Sequence, residues 1–478
     1  MLTCLRVSGF KNLRAVDLSF GPFTCIAGPN AVGKSNLFDA IMFLSSLADD
    51  PLIDAALSVR DEQGRTGDVR ALFYKHAKGS SESMSLEAEM LIPDHGRDAL
   101  GQPAGASITF LKYLVEIRYK ATGMDDVRPG LELVREELGY INVGEAKDHL
   151  PFPHSPAWRR TVVHGRRTSP FISTGEGTVK LHQEGRAGRT RSFPVQSLPR
   201  TVLSTVNAAE SPTALLARNE LRSWRRLQLE PSALRAPDSF TAPNTMGSDG
   251  SHLAATLHRL ARMAQRNGGS GDAVYARIGN RLSELVEDVR AVSVDRDDTR
   301  ELLTVQVTAR DGTAHPARSL SDGTLRFLAL AVLEADPEAK GLLCFEEPEN
   351  GIHPERIVAM LDLLQDLAVD AESQVGEDNP LRQVIVNTHS PVVVSQVPDD
   401  SLLFAETVSR KLGSSEAVFR PLSGTWRSQA QGEQTATQRG RVLAFLNPVR
   451  RRDGEHRDRG RRVIDRDEFQ PSLPFRTS

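Results

Sequence analysis

Gly28-Pro29-Asn30-Ala31-Val32-Gly33-Lys34-Ser35 fits the pattern G-x-x-x-x-G-K-[ST], the signature of a phosphate-binding loop. The glycines let backbone N–H groups turn inward around an anion. Lys34 is placed to reach the outer phosphates of a nucleoside triphosphate, and the Ser35 hydroxyl to ligate Mg2+. An apolar run at 23–27 precedes the loop and reads as a strand. After it, Leu37, Phe38, Ile41, Met42 and Leu44 recur at helical spacing. Strand, Gly-rich turn and helix in that order aim a helix N-terminus at the anion.

Working outward, 2–8 and 15–20 read as strands, as do 84–92 and 110–119. Residues 150–205 are rich in Pro, Gly, Ser and Arg with little periodicity, and helices are expected at about 212–229, 251–266 and 272–290. Beyond them, strands at 302–309, 341–345 and 383–388 alternate with helices at 324–335 and 354–369. That alternation predicts an α/β fold with a largely parallel sheet. The α/β signals lie at both ends of the chain, so one core split by an inserted mixed β/helical region is expected. Its parts are 1–140, an insertion at 141–295, 296–410, and a polar, Arg-rich tail at 411–478.

Three further segments carry chemistry. The strand Leu342-Leu343-Cys344-Phe345 ends in Glu346-Glu347, followed by Pro348-Glu349-Asn350. Such a pair sets one carboxylate beside a metal and the next beside an attacking water. Ser319-Leu320-Ser321-Asp322-Gly323-Thr324 opens an apolar helix, where Ser321 can cap and the Gly323 backbone can approach an anion. Asn387-Thr388-His389-Ser390-Pro391 ends a buried strand, and His389 there can hydrogen-bond a γ-phosphate. Taken singly, the acid pair could merely be a solvated loop, though the metal-and-water reading is favoured; the Ser321 segment alone would be an ordinary N-cap, and His389 could be a satisfied loop histidine.

The order of these segments resembles that of ABC-type P-loop ATPases: Walker A, signature, Walker B and switch histidine. Within that class the opening SGFKNLRAVDLSF, the GKSN of Gly33 to Asn36, FEEPENGIHP and NTHSP are similar to the RecF, SMC and OLD branch. The stretch Gly250 to Leu257 and the variant SLSDGT look closest to OLD-like ATPases of bacterial anti-phage systems. The resemblance covers about 1–120 and 250–405. It implies ATP and Mg2+ as cofactors, with Gly28, Asn30, Gly33, Lys34, Ser35 and Asn36 on the nucleotide. It also implies Ser35 and Glu346 on the metal, and Glu347 and His389 in catalysis. Ser321 and Gly323 of one copy would complete the site built on Lys34 of another, which makes the chain a homodimer when ATP is bound.

The sequence departs from that pattern in places. Glu346 stands where many relatives carry Asp, no clear Gln marks the loop that usually supplies a second metal contact, and Asn350-Gly351 occupy a position where Asp is common. OLD nucleases continue into a Toprim domain, whereas Asp465-Arg466-Asp467 here lacks the preceding Glu-bearing strand, so no nuclease is assigned.

Composition narrows the rest. The net charge is −3 over 478 residues, so any nucleic-acid affinity must come from a local patch. Arginines outnumber lysines 49 to 10, an excess for which coding bias is the better explanation, since Arg enrichment alone is not specific to phosphate recognition. Clusters at 157–200 (Arg159, Arg160, Arg166, Arg167, Lys180, Arg186, Arg189, Arg191, Arg200) and 450–462 are candidates for DNA or for solvated surface. The three cysteines lack metal spacing, no window reaches 18 apolar residues, and no signal peptide is evident, which together predict a cytoplasmic protein that engages no membrane. The expected function is an ATP-driven switch acting on DNA or on a separately encoded nuclease or toxin. A RecF-like repair ATPase, a transporter's energy-coupling subunit and a non-hydrolysing scaffold are the alternatives.

Overall fold

The computed structural model describes residues 1–59, 68–76, 79–120, 130–184, 190–409, 415–437 and 439–446. The tail cluster at 450–462, Asp465, Asp467, Arg186 and Arg189 lie outside them.

In chain order the principal elements are β1 (Leu2–Phe10), β2 (Leu13–Ser19), β3 (Phe23–Ala27), α1 (Lys34–Leu47), β4 (Ser83–Leu91), β5 (Phe110–Lys120) and β6 (Gly130–Tyr140). Next come β7 (Ile172–Gly175), β8 (Thr178–His182), β9 (Thr190–Pro194), α2 (Pro212–Arg222), β10 (Arg225–Leu227), α3 (Leu253–Arg266) and α4 (Gly271–Leu285). The chain continues with β11 (Val289–Asp297), β12 (Leu302–Ala309), α5 (Asp322–Ala335), β13 (Gly341–Glu346), α6 (Ile357–Leu367), β14 (Arg382–Thr388), β15 (Leu402–Ser409) and β16 (Ser415–Pro421).

Two large sheets follow. One is antiparallel, in the order β9-β8-β7-β6-β5-β4-β1-β2. The other runs β10-β13-β14-β3-β15-β16 and is parallel except for its last pair. Its central strands β3, β13 and β14 are buried on both faces, which is why they carry continuous apolar runs. Alternate residues feed separate cores: Ile26, Leu342, Cys344 and Ile385 pack toward α1 and the antiparallel sheet. Cys25, Ala27, Leu343, Phe345, Val384 and Val386 pack toward α3, α5 and α6. Gln383 ties the two sheets together. Its amide accepts Leu2 N–H at 2.8 Å and donates to Leu2 O at 2.7 Å and Gly21 O at 2.9 Å.

The structure departs from the periodicity reading at three points. The helix expected over 212–229 ends at Arg222, and Arg225–Leu227 instead adds a strand to the parallel sheet beside β13. The helix expected to 290 ends at Leu285, because Val289, Val292 and Val294 favour the extended strand β11. Within the Arg-rich stretch, residues 172–182, which hold no arginine, form a hairpin, β7–β8, closed by Glu176 and Gly177 with φ of 53° and 70°. Positive φ at both central residues is the two-residue turn that suits strand twist. Among the described residues no helix is long and apolar enough to cross a membrane.

Candidate functional site

β3 ends at Ala27 and the chain turns through 28–33 into α1. Two glycines make the turn possible. Gly28 has φ of 156°, and a Cβ there would lie 2.5 Å from Ala405 O; at Gly33, φ is 113° and a Cβ would lie 2.4 Å from Asn12 Nδ2. Gly33 caps α1 without any side-chain hydrogen bond, and the first turn holds no acid. The N-terminal amides and the positive end of the helix dipole are therefore left to a ligand. Asn12 braces the loop from behind: its Nδ2 donates to Val32 O at 3.0 Å, and its Oδ1 accepts Asn36 Nδ2 at 2.9 Å. Asn36 thus supports the loop through Asn12.

Lys34 is buried and folded onto its own loop, donating to Gly28 O at 2.7 Å and Pro29 O at 2.9 Å. Burial lowers its pKa, with the charges of Glu347 and Glu349 opposing. A phosphate would offer the ammonium a stronger, charged acceptor than two carbonyls.

Asn30 to Asn36 line a cleft of about 1630 Å³, and Glu346 and Glu347 from the end of β13 line the same cleft. Glu347 has φ of 44°, a left-handed backbone that a non-glycine residue adopts at a cost. Its N–H is anchored by Asn387, through Oδ1 at 3.0 Å and the main-chain oxygen at 3.1 Å. Its carboxylate is held at both ends, by Asn350 Nδ2 at 2.9 Å and His389 Nδ1 at 2.7 Å. Burial works to raise this carboxyl, but those hydrogen bonds and the charges of His389 and Lys34 outweigh it and hold it below the usual glutamate value. Glu347 is thereby kept ionised and oriented.

Two groups that the sequence did not single out also face the cleft. β10 lies parallel to β13 with Leu227 opposite Phe345, so Gln228 comes level with Glu346, and both line the cleft. A three-residue strand containing two arginines carries no periodic signal, which hid Gln228. Asp39, buried on α1, pairs with Lys11 at 2.8 Å and Arg226 at 3.0 Å and so pins β10 to α1.

Ser321 caps α5, accepting Thr324 N–H at 3.2 Å, and Gly323 packs close to Gly351 O. Neither lines the cleft; Arg326, one turn further on, does, and donates to Leu229 O at 3.2 Å. One chain therefore brings together the P-loop, Glu346 and Glu347, with His389 bound to Glu347, while Ser321 and Gly323 are not among the residues that line the cleft.

A family model described as "AAA domain, putative AbiEii toxin, Type IV TA system" matches residues 23–97 and 171–395, over half of the chain. No curated protein matches. Among solved structures the chain is similar to an SMC head bound to the C-winged helix domain of ScpA. Identity there is 14%, with 88% of this chain and 98% of that one covered and a TM-score of 0.45. It is also similar to the SMC head domain from Thermotoga maritima (14% identity, 88% and 99% covered, TM-score 0.37). A third is the Smc head domain with an extended coiled coil bound to the C-terminal domain of ScpA derived from Pyrococcus furiosus (10% identity, 88% and 96% covered, TM-score 0.43).

Proposed function

The chain belongs to the AAA-domain family described as "AAA domain, putative AbiEii toxin, Type IV TA system", and from that premise we propose an ATP-hydrolysing switch that dimerises around its nucleotide. One observation carries the reading: Glu347, held at both oxygens by Asn350 and His389, stands in the same cleft as the P-loop lysine. On this reading Lys34 leaves Gly28 O and Pro29 O for the outer phosphates. Ser35, Glu346 and Gln228 present a hydroxyl, a carboxylate and an amide, an oxygen donor set suited to Mg2+. When bound, the ion would neutralise charge on the phosphates. Glu347 orients the attacking water and takes its proton, with His389 and Asn350 fixing its direction. Ser321 and Gly323, set apart from their own cleft, would complete the site of a second copy.

The family description and the OLD-like stretches at 250–257 and 319–324 support a place in a bacterial defence or toxin–antitoxin system, with ATP state controlling DNA or a partner effector. The test is Glu347→Gln. The amide holds the water's place without accepting its proton, so turnover should fall by about 10²–10⁴-fold. ATP binding should persist and an ATP-dependent dimer should accumulate, read by light scattering. Hydrolysis at the wild-type rate would sink the assignment.

A further inference from the structure

The loop after β13 turns its side chains in two directions. Glu347 and Asn350 line the cleft, whereas Glu349 is turned beneath the loop and is only 7% exposed. Its Oε1 accepts a short hydrogen bond from Thr388 Oγ1. Thr388 Oγ1 in turn accepts Ser390 N–H at 2.9 Å. The other carboxyl oxygen, Oε2, is buried and has no hydrogen-bond partner among the described residues.

These contacts close a ring. Asn387 holds the Glu347 backbone, His389 holds the Glu347 carboxylate, and Thr388, between them, is held by Glu349. Two consecutive loops, one from β13 and one from β14, are thus fastened at both sides of the Glu347–His389 contact. Among the described residues Thr388 is the one side chain that hydrogen-bonds this carboxyl, so the link from Glu349 to the β14 loop runs through it. Burial raises the Glu349 pKa, against the hydrogen bond from Thr388, which fits a group poorly solvated where it sits.

We propose that Glu349 is a positioning residue for hydrolysis, which acts through Thr388 to set His389 against Glu347. The inference rests on the hydrolytic reading above. Glu349 touches neither nucleotide nor water on this account. Its influence is on the direction of the Glu347 carboxylate, so it should bear on turnover and leave nucleotide affinity alone.

The experiment measures kcat and KM for ATP in Glu349→Ala, Glu349→Gln, Thr388→Val, Thr388→Ser and the double variant Glu349→Ala/Thr388→Val, each checked for melting temperature. Glu349→Ala and Thr388→Val should each lower kcat by about tenfold, the size of one hydrogen bond removed from a shared path, with KM within about twofold. The double variant should be no slower than the singles, since both cut the same link. Glu349→Gln keeps an acceptor for Thr388 and Thr388→Ser keeps the hydroxyl, so both should turn over at near wild-type rate. Unchanged kcat in Glu349→Ala overturns the proposal. So do additive losses in the double variant, or a kcat loss shared with KM and with a lowered melting temperature. Should Glu349→Ala fail to fold, Thr388→Val against Thr388→Ser decides by the same criteria. A wild-type protein without turnover removes the hydrolytic reading itself, and this inference with it; turnover in the wild type with an indifferent Glu349 removes the inference alone.

Discussion

Glu136 in the antiparallel sheet and Glu349 beside the parallel one are both buried carboxyls, and they meet burial in different ways. Glu136 is fully enclosed and its oxygens are matched: it accepts Val202 N–H at 2.6 Å, Leu203 N–H at 2.9 Å and Tyr113 O–H at 3.2 Å. It staples the turn that leads from β9 toward α2. Glu349 leaves an oxygen without a partner among the described residues, beneath the loop that carries Glu347. Glu136 is bound on several sides into the antiparallel sheet, whereas Glu349 has a single side-chain link, to Thr388, among the described residues. The two sheets divide in the same sense. The antiparallel sheet holds itself together through paired strands, while the parallel one ends in loops whose geometry is set by contacts across strand ends.

That contrast is open to attack from each side. Glu136→Ala should destabilise the fold by about 4 kcal/mol, since two amides and a phenol lose a buried acceptor. ATP affinity of the surviving folded protein should be unchanged, as read by calorimetry. The effect also has a pH signature. Burial pushes the Glu136 carboxyl up to about 7, with the two backbone N–H groups opposing. A folded pKa above the unfolded one means that the fold favours the protonated form. The stabilising contribution is therefore full below the unfolded pKa and is lost as pH rises through about 7. The stability gap between wild type and Glu136→Ala should narrow as the pH is raised from about 5 to about 8. A gap that widens would contradict the buried geometry.

Lys34→Ala is the converse. ATP affinity should fall by roughly 100-fold, the size of two lost charge-assisted contacts, while the melting temperature of the nucleotide-free protein moves little. Wild-type affinity in that variant would mean the cleft is not the nucleotide site.

The smallest expected effect concerns the Arg-rich stretch. Arg160 and Arg166 are exposed, whereas Arg167 lies over the Phe171 ring at 3.7 Å and belongs to the fold. If this surface holds DNA, Arg160→Ser/Arg166→Ser should reduce the slope of log affinity against log salt by about 2, in a gel-shift titration with ATP present. No retention by the wild type at low salt would remove DNA from the partners.

How far the sequence carried these conclusions depended on the range of the interaction. Lys34, Ser35, Glu346 and Glu347 were legible because strand, turn and side chains follow one another along the chain. The turn at Glu176-Gly177 and the strand over 289–297 had local signals, a Gly after an acid and alternating valines, that the Arg-rich composition and the preceding helix masked. Gln228 had none. Its place next to Glu346 arises from a three-residue strand pairing with one more than a hundred residues later.

The sequence by itself determined the phosphate loop, the carboxylate pair after a buried strand and the α/β alternation, because glycine stereochemistry and hydrophobic period act between near neighbours. Only the tertiary structure decided that β14 comes between β3 and β13, which brings His389 and Asn387 onto Glu347. Only it turned Glu349 away from the cleft that Glu347 enters, and placed Ser321 outside it. Strand order and the direction of a side chain in a loop are set by which surfaces exclude water together, and that is a property of the packed chain rather than of any segment.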